Sequence, residues 1–248
     1  MVKLNALSEG QGVGGRGARL RHRAPCSHAP MPRFRYPIFL DLQGRRCVVA
    51  GGGAVAERKV GRLVSAGAAV RVISPALTAR LRRWARAGAI RHTARAFRAA
   101  DVRGAWLVIA ATDDARVNRL ASRAAAASRM FVNVVDQPRL CSFAVPAVVR
   151  AGDLRVAIST GGASPLLART LRRDWSRTLG ADYARVARLL KRVRPSAQHR
   201  LSSAAERKRF FAAVLNGRAG TLARQGQAAE AVRLANGLLT RMAAGGAA

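Results

Sequence analysis

Carboxylates are scarce in this chain, which narrows the search for a catalytic base. Lys and Arg number 45 against 12 Asp and Glu, a formal net charge of +33 over 248 residues. Any carboxylate chemistry therefore comes from Glu9, Asp41, Glu57, Asp101, Asp113, Asp114, Asp136, Asp153, Asp174, Asp182, Glu206 or Glu230. Asp136 is distinguished by its setting. Met130 to Val135 (MFVNVV) reads as a buried strand, and the carboxylate ends it ahead of Gln137-Pro138. At the ligand-facing end of a strand a carboxylate is placed to take a proton as a hydride departs. A loop aspartate beside a proline is the plainer alternative; the functional reading is preferred.

A second constellation surrounds three glycines. Cys47-Val48-Val49-Ala50 is an apolar run of strand length, Gly51-Gly52-Gly53 permits a tight turn, and a helical pattern runs from Ala56 until Gly67 stops it. Gly51, Gly53 and Ala56 fit G-x-G-x-x-G/A, in which side chains are removed where a pyrophosphate approaches the N–H groups of a helix start. Glycine and alanine are common in this chain, so a bare match is weak; the strand before it and the helix after it favour a dinucleotide site. In the standard fingerprint an acid about 20 residues further on accepts from the adenosine ribose. Here the second strand, Ala69 to Ile73, ends in Ser74-Pro75 with no acid. Backbone or Ser74 contacts would serve instead, and these residues leave NAD and NADP both open.

Another buried strand, Ala105 to Ala110, ends in Ala111-Thr112-Asp113-Asp114. Ligands of doubly wound sheets sit at the carboxyl ends of strands, so Thr112 and Asp113 fall where nucleotide or substrate would lie. Capping of the next helix by Thr112, Asp113 or Asp114 is the favoured reading of these three.

Composition bounds the rest. Half the chain is hydrophobic, enough for a real core, and the sequence pI near 12.0 favours polyanionic ligands, unless Arg is simply abundant throughout. Cysteines at 26, 47 and 141 and histidines at 22, 28, 92 and 199 show neither a disulfide framework nor metal-ligand spacing, so no metal site is expected and a reducing, cytoplasmic setting is. No run of about 18 apolar residues exists to span a membrane. Aromatic residues make up only 5% and are not interleaved with the basic ones, which argues against nucleic acid as partner despite the charge.

The elements that must position these groups follow in order. Residues 1–35 are rich in Gly, Arg and Pro and read as a disordered basic extension, with Met31 an alternative start immediately before the folded part. An alternation of strands and helices from Tyr36 to Cys141 predicts an α/β Rossmann-like parallel sheet, including a helix over 77–87 and an edge strand over 90–93. Phe143–Val149 and Leu154–Ile158, flanking Ala151-Gly152-Asp153, predict two antiparallel strands. Ser159-Thr160-Gly161-Gly162-Ala163-Ser164-Pro165 then opens a helix with Ser164 as N-cap, a second possible anion loop or simply a well-made helix start. Helices are expected at 164–179, 182–193, 203–215 and, more weakly, 219–242, with a disordered tail at 243–248.

With these motifs in hand, the chain resembles the precorrin-2 dehydrogenase and sirohydrochlorin ferrochelatase family, the N-terminal module of siroheme synthases. YPIFLDLQGRRCVVAGGGAVAERK, AATDDARVN, FVNVVDQP, SFAVPAVV and STGGASPLLARTLR match its pattern in order, over about residues 36–217. The resemblance implies an NAD-binding Rossmann domain at 36–141, a small β dimerisation region at 142–163 and a helical C-terminal domain at 164–242, joined in a homodimer. It implies oxidation of precorrin-2 to sirohydrochlorin with NAD as hydride acceptor and, in some members, insertion of ferrous iron. The family's essential aspartate falls on Asp136. Its NAD contacts fall on Gly51, Gly53, Ala54, Val55, Pro75 and Ala76, beside Thr112 and Asp113, and its tetrapyrrole is expected against Asn133, Thr160, Gly161, Gly162 and Ser164. Some relatives carry a phosphorylated serine where this chain has Thr160, which keeps the hydroxyl. Methylation of uroporphyrinogen is not expected. The alternative from another class is a non-enzymatic NAD-sensing module, which would use the same glycine turn and need no base at Asp136.

Overall fold

A computed structural model describes residues 36–245. The extension expected at 1–35 lies outside the described residues. Eight elements make the first part: β1 (Arg46–Ala50), α1 (Ala54–Ser65), β2 (Ala69–Ile73), α2 (Ala79–Arg86), β3 (Arg91–Thr93), β4 (Leu107–Ala110), α3 (Ala115–Ala127) and β5 (Phe131–Val134). The strands pair in parallel in the order β3-β2-β1-β4-β5. The winding reverses between β1 and β4, and a crevice opens beyond the carboxyl ends of those two strands.

Alternation along each strand sorts the core onto two faces. Cys47, Val49, Val70, Val72, Leu107 and Ile109 pack with Ala56, Val60 and Leu63 of α1 and Leu81 of α2. Val48, Ala50, Ile73, Val108, Ala110, Val132 and Val134 pack on the other side with Ala121 and Ala125 of α3. Because both faces are covered, the strands read as continuous apolar runs rather than as alternating ones. Each fully buried valine contributes about 1.5–3 kcal/mol of transfer free energy.

Asp101 fixes the crossover from β3 to β4. It is 6% exposed and accepts from the Arg95 guanidinium at 2.8 and 2.6 Å and from the Arg98 N–H at 2.8 Å, with Arg71 at 3.7 Å.

The antiparallel pair is β6 (Ala147–Ala151) and β7 (Leu154–Ile158). The expected strand from Phe143 starts late because Pro146 has no N–H to give to a ladder. Five helices follow: α4 (Pro165–Thr178), α5 (Ala181–Arg200), α6 (Ala204–Asn216), α7 (Arg218–Arg224) and α8 (Ala228–Gly245). Two differ from the sequence expectation. Helix α5 runs past 193 and straight through Pro195, because Val193 and Ala197 carry its buried face beyond the proline. The stretch 219–242 is two helices broken at Gly226, whose φ of +90° ends α7, and α8 reaches Gly245, into the expected tail. Val186, Leu189, Phe210, Val214, Leu222, Ala231, Ala235 and Leu239 form the core of this helical part.

The pairing with Arg95, the Arg98 N–H and Arg71 holds the Asp101 carboxyl below its ordinary value of 3.8. A depressed folded-state value means that its stabilising contribution is complete above about pH 4 and is lost as pH falls further. Asp101→Asn is expected to lower stability by roughly 1–3 kcal/mol at neutral pH. Urea titrations of wild type and variant should converge as pH is lowered below 4.

Candidate active site

The crevice between β1 and β4 is a cleft of about 440 Å3 lined by Gly51, Gly52, Gly53, Ser74, Ala76, Leu77, Thr78, Ala111, Thr112 and Asp113. Its floor requires two of the three glycines. Gly51 has φ +114°, and a Cβ there would collide with the Ala111 carbonyl; a Cβ on Gly52 would collide with the Ala76 carbonyl. Gly53 is different. Its φ of −81° suits any residue, and a Cβ there would meet nothing within 4 Å. Packing gives no reason for glycine at 53, whereas a ligand seated on the helix start does.

That helix start is left open. Gly53 is the N-cap of α1 and provides no side-chain cap, so the first-turn N–H groups, at Ala54 and Val55, face outward. Thr78 caps α2, Asp114 caps α3, Ser164 caps α4 and Ser203 caps α6; α5 and α7 also start at glycines without a side-chain cap, but a Cβ on Gly180 or Gly217 would have a backbone carbonyl within 4 Å. An uncapped helix N-terminus beside a residue with empty space over it fits a pyrophosphate. The Thr78 hydroxyl donates to Glu57 at 2.6 Å and so locks the start of α2 against α1 on one side of the cleft.

At the other end of the cleft the capping question resolves residue by residue. Asp114 accepts from the N–H groups of Arg116 (2.7 Å) and Val117 (3.3 Å), and Thr112 accepts from the Asp114 N–H at 3.1 Å. Asp113 lines the cleft. Pro75 is exposed between the lining residues Ser74 and Ala76.

Asp136 stands two residues past the end of β5, on the same edge of the sheet. It is exposed and has φ +57°, in the left-handed region that Asp tolerates better than most residues. Behind it Asn133 is 8% exposed. The Asn133 amide donates to the Phe143 carbonyl at 3.1 Å, and its Oδ1 accepts from Lys59 Nζ at 3.5 Å. Both ends of the amide are thus engaged within the chain.

Lys59 is the residue that sequence reasoning missed. It lies on α1 between the core-facing Ala56 and Val60, on the border of the buried stripe, and half-buried beside β5. Burial, followed by repulsion from Arg62 and Arg58, holds its ammonium below the usual lysine value, while Asp136 and Cys141 pull the other way. Its available signal was a lysine at the edge of an apolar helix face.

The loop Thr160–Ser164 is on the second part of the fold. Thr160 Oγ1 accepts from the Ser164 N–H at 3.3 Å, Ser164 Oγ accepts from the Leu167 N–H at 3.2 Å, and Ser159 Oγ accepts from the Gly161 N–H at 3.2 Å. Gly161 and Gly162 have positive φ and open space around them. These bonds close within the loop and the first turn of α4, whereas Asp136, Asn133 and Lys59 gather on the parallel sheet. Among the described residues no three His, Cys, Asp or Glu side chains are grouped to hold a metal ion, and no helix is long and apolar enough to cross a membrane.

Comparison with known proteins bears on this arrangement. Residues 38–147 match the family described as "Putative NAD(P)-binding", residues 152–174 the sirohaem biosynthesis protein central region, and residues 182–239 the sirohaem synthase dimerisation region. The siroheme synthase of Methylobacillus flagellatus is 46% identical over 191 residues, 77% of this chain and 41% of that protein. That of Nitrosospira multiformis is 45% identical over 185 residues, 73% of this chain and 39% of that protein. In order, the chain carries sequence that matches an NAD(P)-binding region and the central and dimerisation regions of sirohaem synthesis proteins. It spans about two fifths of the length of these relatives. A solved structure titled SirC, precorrin-2 dehydrogenase, superposes with a TM-score of 0.66 at 26% identity, covering 82% of this chain and 99% of that one. The stretch that matches the sirohaem synthase dimerisation region falls on α5 to α8, downstream of the residues 142–163 expected to carry that role.

Substitution separates the two kinds of glycine. Gly53→Ala is expected to leave the thermal midpoint within about 1 °C and to weaken NAD binding roughly tenfold or more, since the added methyl sits where the pyrophosphate meets the helix. Gly51→Ala is expected to lower the midpoint by several degrees through backbone strain and collision. Calorimetric melting and NAD titration of both variants check this.

Proposed function

We propose that the protein oxidises precorrin-2 to sirohydrochlorin with NAD as hydride acceptor, in siroheme biosynthesis. The observation that carries this reading is the placing of a carboxylate, Asp136, at the same sheet edge as an open helix N-terminus built around Gly53. The N–H groups at Ala54 and Val55 would hold the pyrophosphate, Ser74, Pro75 and Ala76 the adenosine side, and Thr112 and Asp113 the side toward β5. NAD, when bound, supplies the two-electron acceptor.

The chain's own residues supply placement and proton transfer. Loss of a hydride from a reduced macrocycle carbon must be matched by loss of a proton, and Asp136 takes that proton. Lys59 places a positive charge beside Asp136 and anchors Asn133, so that Asn133 orients this corner while the Thr160–Ser164 loop receives the substrate. The substrate's carboxylates suit a chain of net charge +33, which raises their local concentration near the site. The free thiols Cys47 and Cys141 suit the reducing cytoplasm.

A homodimer completes the proposal. Helix α4 has no buried residue, and Leu166, Leu167 and Trp175 on it are 68%, 47% and 47% exposed, a surface that a second copy would cover. Sedimentation is expected to give twice the chain mass, and Trp175→Glu is expected to shift it toward one chain.

The deciding experiment is an anaerobic assay with precorrin-2 and NAD, followed by the sirohydrochlorin spectrum. Asp136→Asn is expected to cut turnover by 100-fold or more, on the order of the contribution of a general base, with NAD affinity unchanged. NAD binding without conversion by the wild type would favour the sensing module instead. Ferrous ion added to the same reaction tests it as a second substrate: insertion faster than with the ion alone assigns chelatase activity to this chain.

A further inference from the structure

The turn that carries Asp136 is held from behind by a sulfur. Cys141 Sγ lies 3.1 Å from the Val134 N–H, which donates to it, and 3.2 and 3.4 Å from the carbonyls of Val134 and Gln137, either of which can take the thiol proton. The Asn133 amide approaches the same sulfur at 3.6 Å. These partners lie on both flanks of Asp136, whose backbone sits in the left-handed region, while the Gln137 N–H returns to the Val134 carbonyl at 3.3 Å. A left-handed non-glycine residue is unfavourable and persists only where its surroundings impose it. The Cys141 thiol is the side chain that bridges the two sides of this turn.

We propose that Cys141 is a positioning residue for Asp136, its thiol acting as a two-way hydrogen-bond clamp across residues 133–137. The inference rests on the reading of Asp136 as the base. The clamp requires the protonated thiol, because a thiolate would face two carbonyl oxygens without a proton to share. The surroundings keep it protonated: burial, the largest influence, raises the Cys141 value above that of a free thiol, against smaller opposing effects of the Val134 N–H and Lys59. Cys47, by contrast, is fully buried in the β1 core and pushed up to about 11 by burial, where it acts as a small apolar side chain. A thiol suits position 141 because its long C–S bond and diffuse lone pairs allow contacts of 3.1–3.6 Å to four partners at once.

Two substitutions separate clamping from packing. Cys141→Val keeps an apolar side chain, one methyl group bulkier, and removes every hydrogen bond; Cys141→Ser keeps the donor and acceptor. Turnover, NAD affinity and thermal midpoint are measured for both beside Asp136→Asn. The valine variant is expected to lose roughly 10- to 100-fold in kcat, the cost of misplacing a reacting group by about 1 Å, with NAD affinity within twofold of wild type. The serine variant is expected to recover most of that loss. Wild-type kcat in the valine variant, or a serine variant as impaired as the valine one, would overturn the clamp while leaving Asp136 as base. Turnover retained by Asp136→Asn would overturn the base assignment itself, and the clamp with it.

Discussion

The structure depends on one close approach of backbone to backbone. Where β1 turns into α1, the chain at Gly51 runs against the Ala111 carbonyl at the end of β4, with no room for even a methyl group. Parallel pairing of β1 with β4 brings these two strand ends together, from Cys47 opposite Leu107 to Ala50 opposite Ala110. The contact therefore sits at the reversal of the sheet, where a crevice is topologically required. Any side chain at 51 would push the first turn of α1 away from β4 and open the floor of the crevice.

From that contact the site is assembled by elements far apart in sequence. Helix α1 contributes an uncapped N-terminus on one side and Lys59 one turn later on the other. The lysine then reaches across to Asn133 on β5. A single helix thus links the crevice at Gly53 to the corner of β5 that leads to Asp136. Because Ala56, Val60 and Leu63 fasten it to the sheet, the spacing between the two ends is set by core packing rather than by loops.

Much of this was legible in the residues, and the illegible parts share a cause. Strands were readable because Val-rich runs buried on both faces stand out between glycines, and Asp136 because it ends such a run. The pattern around Gly51 and Gly53 revealed a turn but could not say that packing demands glycine at one position and leaves space at the other. Lys59 gave no signal because its partner Asn133 lies 74 positions away, and Cys141 gave none because only the folding of the turn after β5 brings its sulfur back to Val134 and Gln137. The helix expected over 182–193 continues through Pro195 because the disruption at the proline weighs less than continued burial of Val193 and Ala197.

The segment after β5 bears on the fate of the whole sheet. β5 is an edge strand, and Ser142 and Phe143 occupy its open side. The Ser142 N–H donates to the Val132 carbonyl at 2.9 Å, the Val132 N–H donates to Ser142 Oγ at 2.8 Å, and the Phe143 ring meets Phe131 edge-on at 6.2 Å. The Ser142 hydroxyl and N–H here stand in for a sixth strand. The polar groups of β5 that would otherwise template the pairing of foreign chains are already taken, so the passage to the helical part also guards this edge of the sheet against pairing with another chain.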